Sequence, residues 1–154
     1  MREWGEVWLA TLDPKRGTEP GKTRPVLIVQ AQALLDADHP STLVVPFTTR
    51  LVDDAEPLRV RVKAAGRLRR ESDLLLDQLR AIDNSRLIDG PLTQLSGPTM
   101  RRVDDAIRAV PELAEYRHVA GGLRPPLTGR IIAGWYPDAM SSRLPGRARH
   151  QDAR

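Results

Sequence analysis

The sequence predicts a mainly β protein with helices, arranged as a small curled sheet or barrel with one amphipathic helix packed across it. Three observations lead there. Short segments that are rich in β-branched residues or alternate with period two recur through the first half of the chain. Gly, Pro, Asn and Asp separate them, and one stretch near residue 100 carries apolar residues at helical spacing. With 154 residues the chain has room for one domain with a real core.

Glu6 to Leu12, EVWLATL, alternates as a half-buried strand does and is ended by Asp13, Pro14 and Gly17. RPVLIV, from Arg24 to Val29, is too short and too apolar for a surface helix and reads as a central strand. One helical turn and a loop are expected in AQALLDADHP. TLVVPFTT, from Thr42 to Thr49, is a third strand, whose proline implies an edge position or a bulge near its end. PLRVRVK, from Pro57 to Lys63, places Leu58, Val60 and Val62 on one face and Arg59, Arg61 and Lys63 on the other. That basic face reads as a solvated sheet surface in preference to a phosphate track.

SDLLLDQLRAI, from Ser72 to Ile82, is a strand or a helix on periodicity alone, and DNSRL is a short helical turn leading to a break at Gly90-Pro91. The main helix spans Ser96 to Val110. Met100, Val103, Ile107 and Val110 share one stripe, Ser96 caps the free amides, Pro98 falls in the tolerated first turn, and Pro111 is expected to end the helix.

The net charge of +4 is unevenly placed. Residues 1–116 hold 17 Lys and Arg against 18 acids, whereas residues 117–154 hold seven arginines against Asp138 and Asp152. Two units are therefore expected: a domain over residues 1–115, and a basic, flexible Gly/Pro/Arg-rich extension over 116–154 in which only GRIIAGWYP can dock. The start of the chain lacks a basic and then apolar leader pattern, and no apolar run is long enough to span a membrane, so a cytoplasmic protein without membrane contact is expected.

The absence of cysteine excludes a disulfide framework, a thiol nucleophile and Cys-ligated zinc. His39, His118 and His150 are scattered over a loop and the extension, and no metal-binding carboxylate motif, GxGxxG or Walker loop is present. Neither metal nor cofactor is expected. Arg24 stands out, because Pro25 holds its backbone extended and an apolar strand fixes its position. It can present bidentate donors to a phosphate or pair with an acid such as Glu19. Thr48 and Thr49 follow the proline-bearing strand either for conformational reasons or as hydroxyl donors to the same oxyanion.

Taken in order, GEVWLATLDPKRGTEPGKTRPVLIVQ, TLVVPFTTR, SDLLLDQLRAID, SRL and LSGPTMRRVDDAI resemble the MazF/PemK family of toxin endoribonucleases over residues 3 to 110. The resemblance implies an SH3-like small β-barrel plus a C-terminal amphipathic helix, the fold of CcdB and PemK toxins. It further implies a homodimer that cuts single-stranded RNA at short sites without a metal, leaving 2′,3′-cyclic phosphate and 5′-hydroxyl ends, and that is silenced by a cognate acidic antitoxin. The family's catalytic arginine and threonine fall on Arg24 and Thr48. Its RNA contacts fall on Glu19, Gly21 and Lys22 of the loop between the first two strands, on Thr49, and on Gln78 and Arg80. Two departures stand out: Asp77 replaces the usual glutamate, and the helix start SGPTM lacks the usual carboxylate. A CcdB-like toxin that binds gyrase and has no nuclease site is the alternative, and the RP and PFTT motifs favour the nuclease.

Overall fold

The computed structural model describes residues 1–14, 17 and 22–115. The expected extension over 116–154 lies outside the described residues. Among the described residues, seven strands and two α-helices follow in the order β1 (Glu6–Thr11), β2 (Thr23–Ile28), α1 (Gln32–Asp36), β3 (Ser41–Thr48), β4 (Arg59–Val62), β5 (Ser72–Leu75), β6 (Arg80–Asp83), β7 (Leu87–Gln94) and α2 (Gly97–Glu115). No helix among the described residues is long and apolar enough to cross a membrane.

The strands form one antiparallel path, β4-β5-β3-β2-β1-β7, with β6 set against β3 off that path. β3 is the organising strand. One edge pairs with β2 from Val26↔Pro46 to Ile28↔Val44, while the other pairs first with β6 (Ser41↔Asp83 to Val44↔Arg80) and then with β5 (Phe47↔Leu74, Thr48↔Asp73). The proline thus marks neither an edge nor the end of pairing. Pro46 stands between the last β6 partner, Val44, and the first β5 partner, Phe47, where the ladder is interrupted and a missing N–H leaves no acceptor stranded.

The expected SH3-like barrel does not form, because the sheet does not close. Its end strands β4 and β7 share no ladder. β4 has four residues and gives way to a turn at Ala65–Leu68, from which the Arg67 N–H reaches the Leu92 carbonyl of β7 at 2.7 Å. α2 packs across one face of the sheet, with Met100, Val103 and Ala106 buried against Val7, Val45, Phe47, Val60 and Leu74. A second core lies on the opposite face, where Ala10, Leu12, Val26, Ile28, Val44 and Ile82 meet Leu35 of α1. Period-two alternation sends Leu27 to the first core and Val26 and Ile28 to the second, so β2 is buried on both faces as its composition requires.

Three local expectations are corrected. Ser72–Ile82 is neither one strand nor one helix: β5, a 3₁₀ turn at Leu76–Gln78 and β6 follow one another. Gly90-Pro91 lies inside β7 instead of ending a segment. The β1–β7 register shifts between Val7↔Thr93 and Leu9↔Asp89, and that bulge accommodates Pro91, while the Trp8 ring lies so close to Gly90 that an added Cβ would come within 2.4 Å of it. Pro111 does not end α2, which runs to Glu115. A proline inside a helix costs about 3 kcal/mol, which packing of Ile107 and Val110 against the core opposes. Ser96 caps α2 as expected, its Oγ accepting from the Thr99 N–H at 3.4 Å and lying 2.9 Å from the Thr99 hydroxyl, which takes the place of the missing carboxylate. The short helical turns at Gln32–Asp36 and Asn84–Arg86 also form.

The basic face of β4 is not the solvated surface expected. Asp73 of β5 is 1% exposed and accepts from Arg61 Nε at 2.9 Å, from the Val52 N–H at 2.9 Å and from Arg59 Nη1 at 3.4 Å. Burial alone raises the pKa of this carboxyl, but the hydrogen bonds from Arg61 and Val52 and the nearby guanidinium charge outweigh burial and hold it below the ordinary value. A depressed folded pKa contributes stability that is present above the unfolded value near ~3.9 and is lost as pH falls through the folded one. Replacing Asp73 with Asn should lower unfolding free energy at pH 7 by about 3–5 kcal/mol, because two cations lose a buried partner. The deficit relative to the unmodified protein should shrink below pH 4, measured by urea unfolding at both pH values. A pH-independent deficit would assign the loss to packing.

Candidate active site

Arg24 is the second residue of β2 and Thr48 the last of β3. Continuing the Val26↔Pro46 register outward by two residues sets them opposite each other. Pro25 keeps Arg24 extended, and the fully buried Val26, Leu27 and Ile28 anchor the strand behind it. Its guanidinium is half-buried and donates from Nη1 to the Phe47 carbonyl at 3.1 Å, which ties the arginine to the residue before Thr48. Burial lowers the pKa of Arg24, and the negative charge of Asp13 acts in the opposite direction. The Thr48 Oγ accepts from the Arg50 N–H at 3.2 Å, which leaves its own proton available to an outside acceptor.

Arg24, Thr48 and Thr49 line one groove of about 640 Å³. Among the described residues, its other charged walls are Arg50, Arg67, Arg69 and Arg70, against a single carboxylate, Asp89. A second recess of about 580 Å³ also contains arginines, but Arg59 and Arg61 are paired with Asp73, and Arg102 is paired with Glu56. The first groove is therefore the one that offers net positive charge to a ligand. Among the described residues no group of three or more His, Cys, Asp or Glu is placed to hold a metal ion.

The other candidates are distributed differently. Lys22 sits at the base of the β1–β2 loop with φ of 64°, its N–H bonded to Asp13 Oδ1 at 2.6 Å, and does not line the groove. Gln78 ends the 3₁₀ turn after β5, and Arg80 begins β6 opposite Val44; neither lines the groove. Glu19 and Gly21 lie outside the described residues. Sequence reasoning passed over Arg67, Arg69, Arg70 and Asp89. The run GRLRR carried the signal, a cationic cluster behind a glycine between two strands.

A profile of PemK-like, MazF-like toxins of type II toxin–antitoxin systems matches residues 3–110. The chain belongs to this family. It is 36% identical over 108 residues to the endoribonuclease MazF of Staphylococcus saprophyticus, covering 70% of this chain and 88% of that protein. Among solved structures it resembles MazF from Deinococcus radiodurans, with a TM-score of 0.60 at 19% identity over 72% of this chain and 96% of that one. The Mycobacterium tuberculosis toxin MazF-mt6 aligns with a TM-score of 0.57 at 22% identity, over 70% and 96%. A mycobacterial endoribonuclease solved with its cognate antitoxin aligns with a TM-score of 0.59 at 19% identity, over 73% and 97%. This toxin therefore shares the fold of those structures, and its kinship with the staphylococcal protein supports nuclease activity in general terms.

The turn that carries the groove's arginines depends on Gly66. Its φ is +56°, and a Cβ there would come within 2.8 Å of the Leu92 carbonyl of β7. Gly66→Ala should lower unfolding free energy by about 1–3 kcal/mol through backbone strain and displacement of β7. Equilibrium denaturation checks this, and a variant as stable as the parent would show that the turn bears no strain.

Proposed function

We propose that this toxin is a metal-independent, sequence-specific endoribonuclease that cleaves single-stranded RNA, mRNA included, and thereby inhibits translation. The observation that carries the reading is the placement of Arg24 and Thr48 on adjoining strand ends, tied through the Phe47 carbonyl and facing one cationic groove. In the reaction, a ribose 2′-hydroxyl attacks the adjacent phosphorus. The P–O2′ bond forms as the P–O5′ bond breaks, the proton lost at O2′ is matched by one gained at O5′, and the products are a 2′,3′-cyclic phosphate and a 5′-hydroxyl.

A guanidinium remains protonated at neutral pH, so Arg24 acts by neutralising the charge that grows on the phosphoryl oxygens. Thr48 donates its hydroxyl proton to one of them, oriented by the bond its Oγ accepts from the Arg50 N–H. Thr49 lies on the same wall. The resemblance assigns Glu19, Gly21, Lys22, Gln78 and Arg80 to flanking RNA contacts. The same reading includes a homodimer and a cognate antitoxin with an acidic segment. The antitoxin partner is supported by the solved relatives captured in complexes, a mycobacterial endoribonuclease with its cognate antitoxin and the MazE–MazF complex of D. radiodurans.

Removing one preorganised donor costs about 3–4 kcal/mol of transition-state stabilisation. Arg24→Ala and Thr48→Ala should each reduce cleavage of a long RNA by about 100- to 1000-fold, with thermal midpoints within a few degrees of the parent. Cleavage by the parent should persist in EDTA and leave 5′-hydroxyl ends, mapped by end-specific labelling. Products with 5′-phosphates would refute the mechanism. Intact RNA together with inhibited gyrase would support the alternative toxin class.

A further inference from the structure

The turn between β4 and β5 is built as a rigid platform. Ala65 and Leu68 exchange backbone hydrogen bonds of 3.0 and 2.9 Å, Leu68 is buried, and the Arg67 N–H is fixed to the Leu92 carbonyl. Burying Leu68 turns its neighbours Arg67 and Arg69 outward, and Arg70 follows; all three are exposed and line the groove that also holds Arg24 and Thr48. Their charges are not equivalent. Arg67 is held in a two-pronged ion pair by Asp89 of β7, whereas Arg69 and Arg70 enter no salt bridge among the described residues. The Arg67–Asp89 pair is itself solvent-exposed, at 58% and 48%, so it is screened and contributes little to folding.

We propose that Arg69 and Arg70 are positioning residues that bind the RNA phosphates flanking the scissile one, and that Asp89 restrains this wall by neutralising Arg67. The inference rests on the RNA-cleaving reading above. It follows from the groove's asymmetry: Arg24 and Thr48 stand at the β2 and β3 strand ends, while a turn with a hydrogen-bonded backbone brings Arg69 and Arg70 into the same groove. Asp89 is the groove's one charged acceptor among the described residues, and it repels phosphate while occupying Arg67. Removing it therefore adds one usable cation and subtracts one repulsion.

Binding of a 2′-O-methyl single-stranded RNA, which keeps the phosphates and lacks the attacking hydroxyl, separates affinity from cleavage. Arg69→Ala and Arg70→Ala should each weaken binding by up to about fivefold and reduce the slope of log affinity against log salt by about 0.7. On unmodified RNA they should raise KM with kcat nearly unchanged. Asp89→Asn should do the opposite, tightening binding and steepening the slope, a gain that mere damage to the fold would not produce. Arg101→Ala, an exposed cation on α2 outside the groove, should leave both quantities unchanged. Equal losses at Arg101, Arg69 and Arg70, or weakened binding by Asp89→Asn, would overturn the inference. A parent protein that cuts no unmodified RNA would overturn the nuclease reading instead, whatever the binding variants do.

Discussion

Strand β3 exchanges backbone hydrogen bonds with three neighbours, β2 along one edge and β6 then β5 along the other. The rest of the domain depends on that division. Because β5 takes over beyond Pro46, the C-terminal end of β3 is paired with β5 and is tied to β2 by the Arg24–Phe47 hydrogen bond, and Thr48 is fixed next to Arg24 without help from any loop. Because β6 occupies the other half, Gln78 and Arg80 are carried away from that end. One interrupted ladder thus separates the residues that face the groove from those that do not.

Electrostatics divides the arginines in the same way. Arg59 and Arg61, on the outer face of β4, converge on Asp73, whose burial makes an unpaired charge costly and whose three donors make the ionised form the stable one. These cations are structural. Arg50, Arg69 and Arg70 stand at turns and strand ends where water screens them and no partner among the described residues neutralises them, so their charge remains available to a polyanion. Net charge would not have separated the two sets, because the described part of the chain is close to neutral.

The open sheet bears on the site as well. A closed barrel would have joined β4 to β7 by a ladder and filled the space between them. Here a four-residue β4 stops short, and the Gly66 turn bridges to Leu92 through one backbone hydrogen bond. The groove lies along that bridge, with Leu92 and Asp89 of β7 on one side and Thr48 of β3 on the other. α2 packs across one face of the open sheet, with Met100 and Val103 buried in the core.

Read alone, the sequence determined the local parts. Alternation specified β1 and β4, a short apolar run specified β2, the Ser96 cap and the apolar stripe specified α2, and the Arg24-Pro25 pair specified an extended, anchored arginine. These depend on residues only a few positions apart, and steric restriction and side-chain periodicity act at that range. Three prolines were misread for a single reason. Pro46, Pro91 and Pro111 were read as an edge or a bulge, a break and a helix end because an isolated chain shows that proline lacks an N–H, but not whether a partner carbonyl is waiting for it. The interrupted ladder at Pro46, the bulge and the Trp8 contact beside Pro91, and the packing of Val110 before Pro111 are all tertiary. Tertiary structure alone also brought Asp73 under Arg59 and Arg61, left the sheet open, and placed the 65–70 turn and Asp89 on the groove of Arg24 and Thr48. Arg24 and Asp89, 65 positions apart, meet there, and their meeting depends on which strand edges pair, a property of the whole sheet and not of any segment in it.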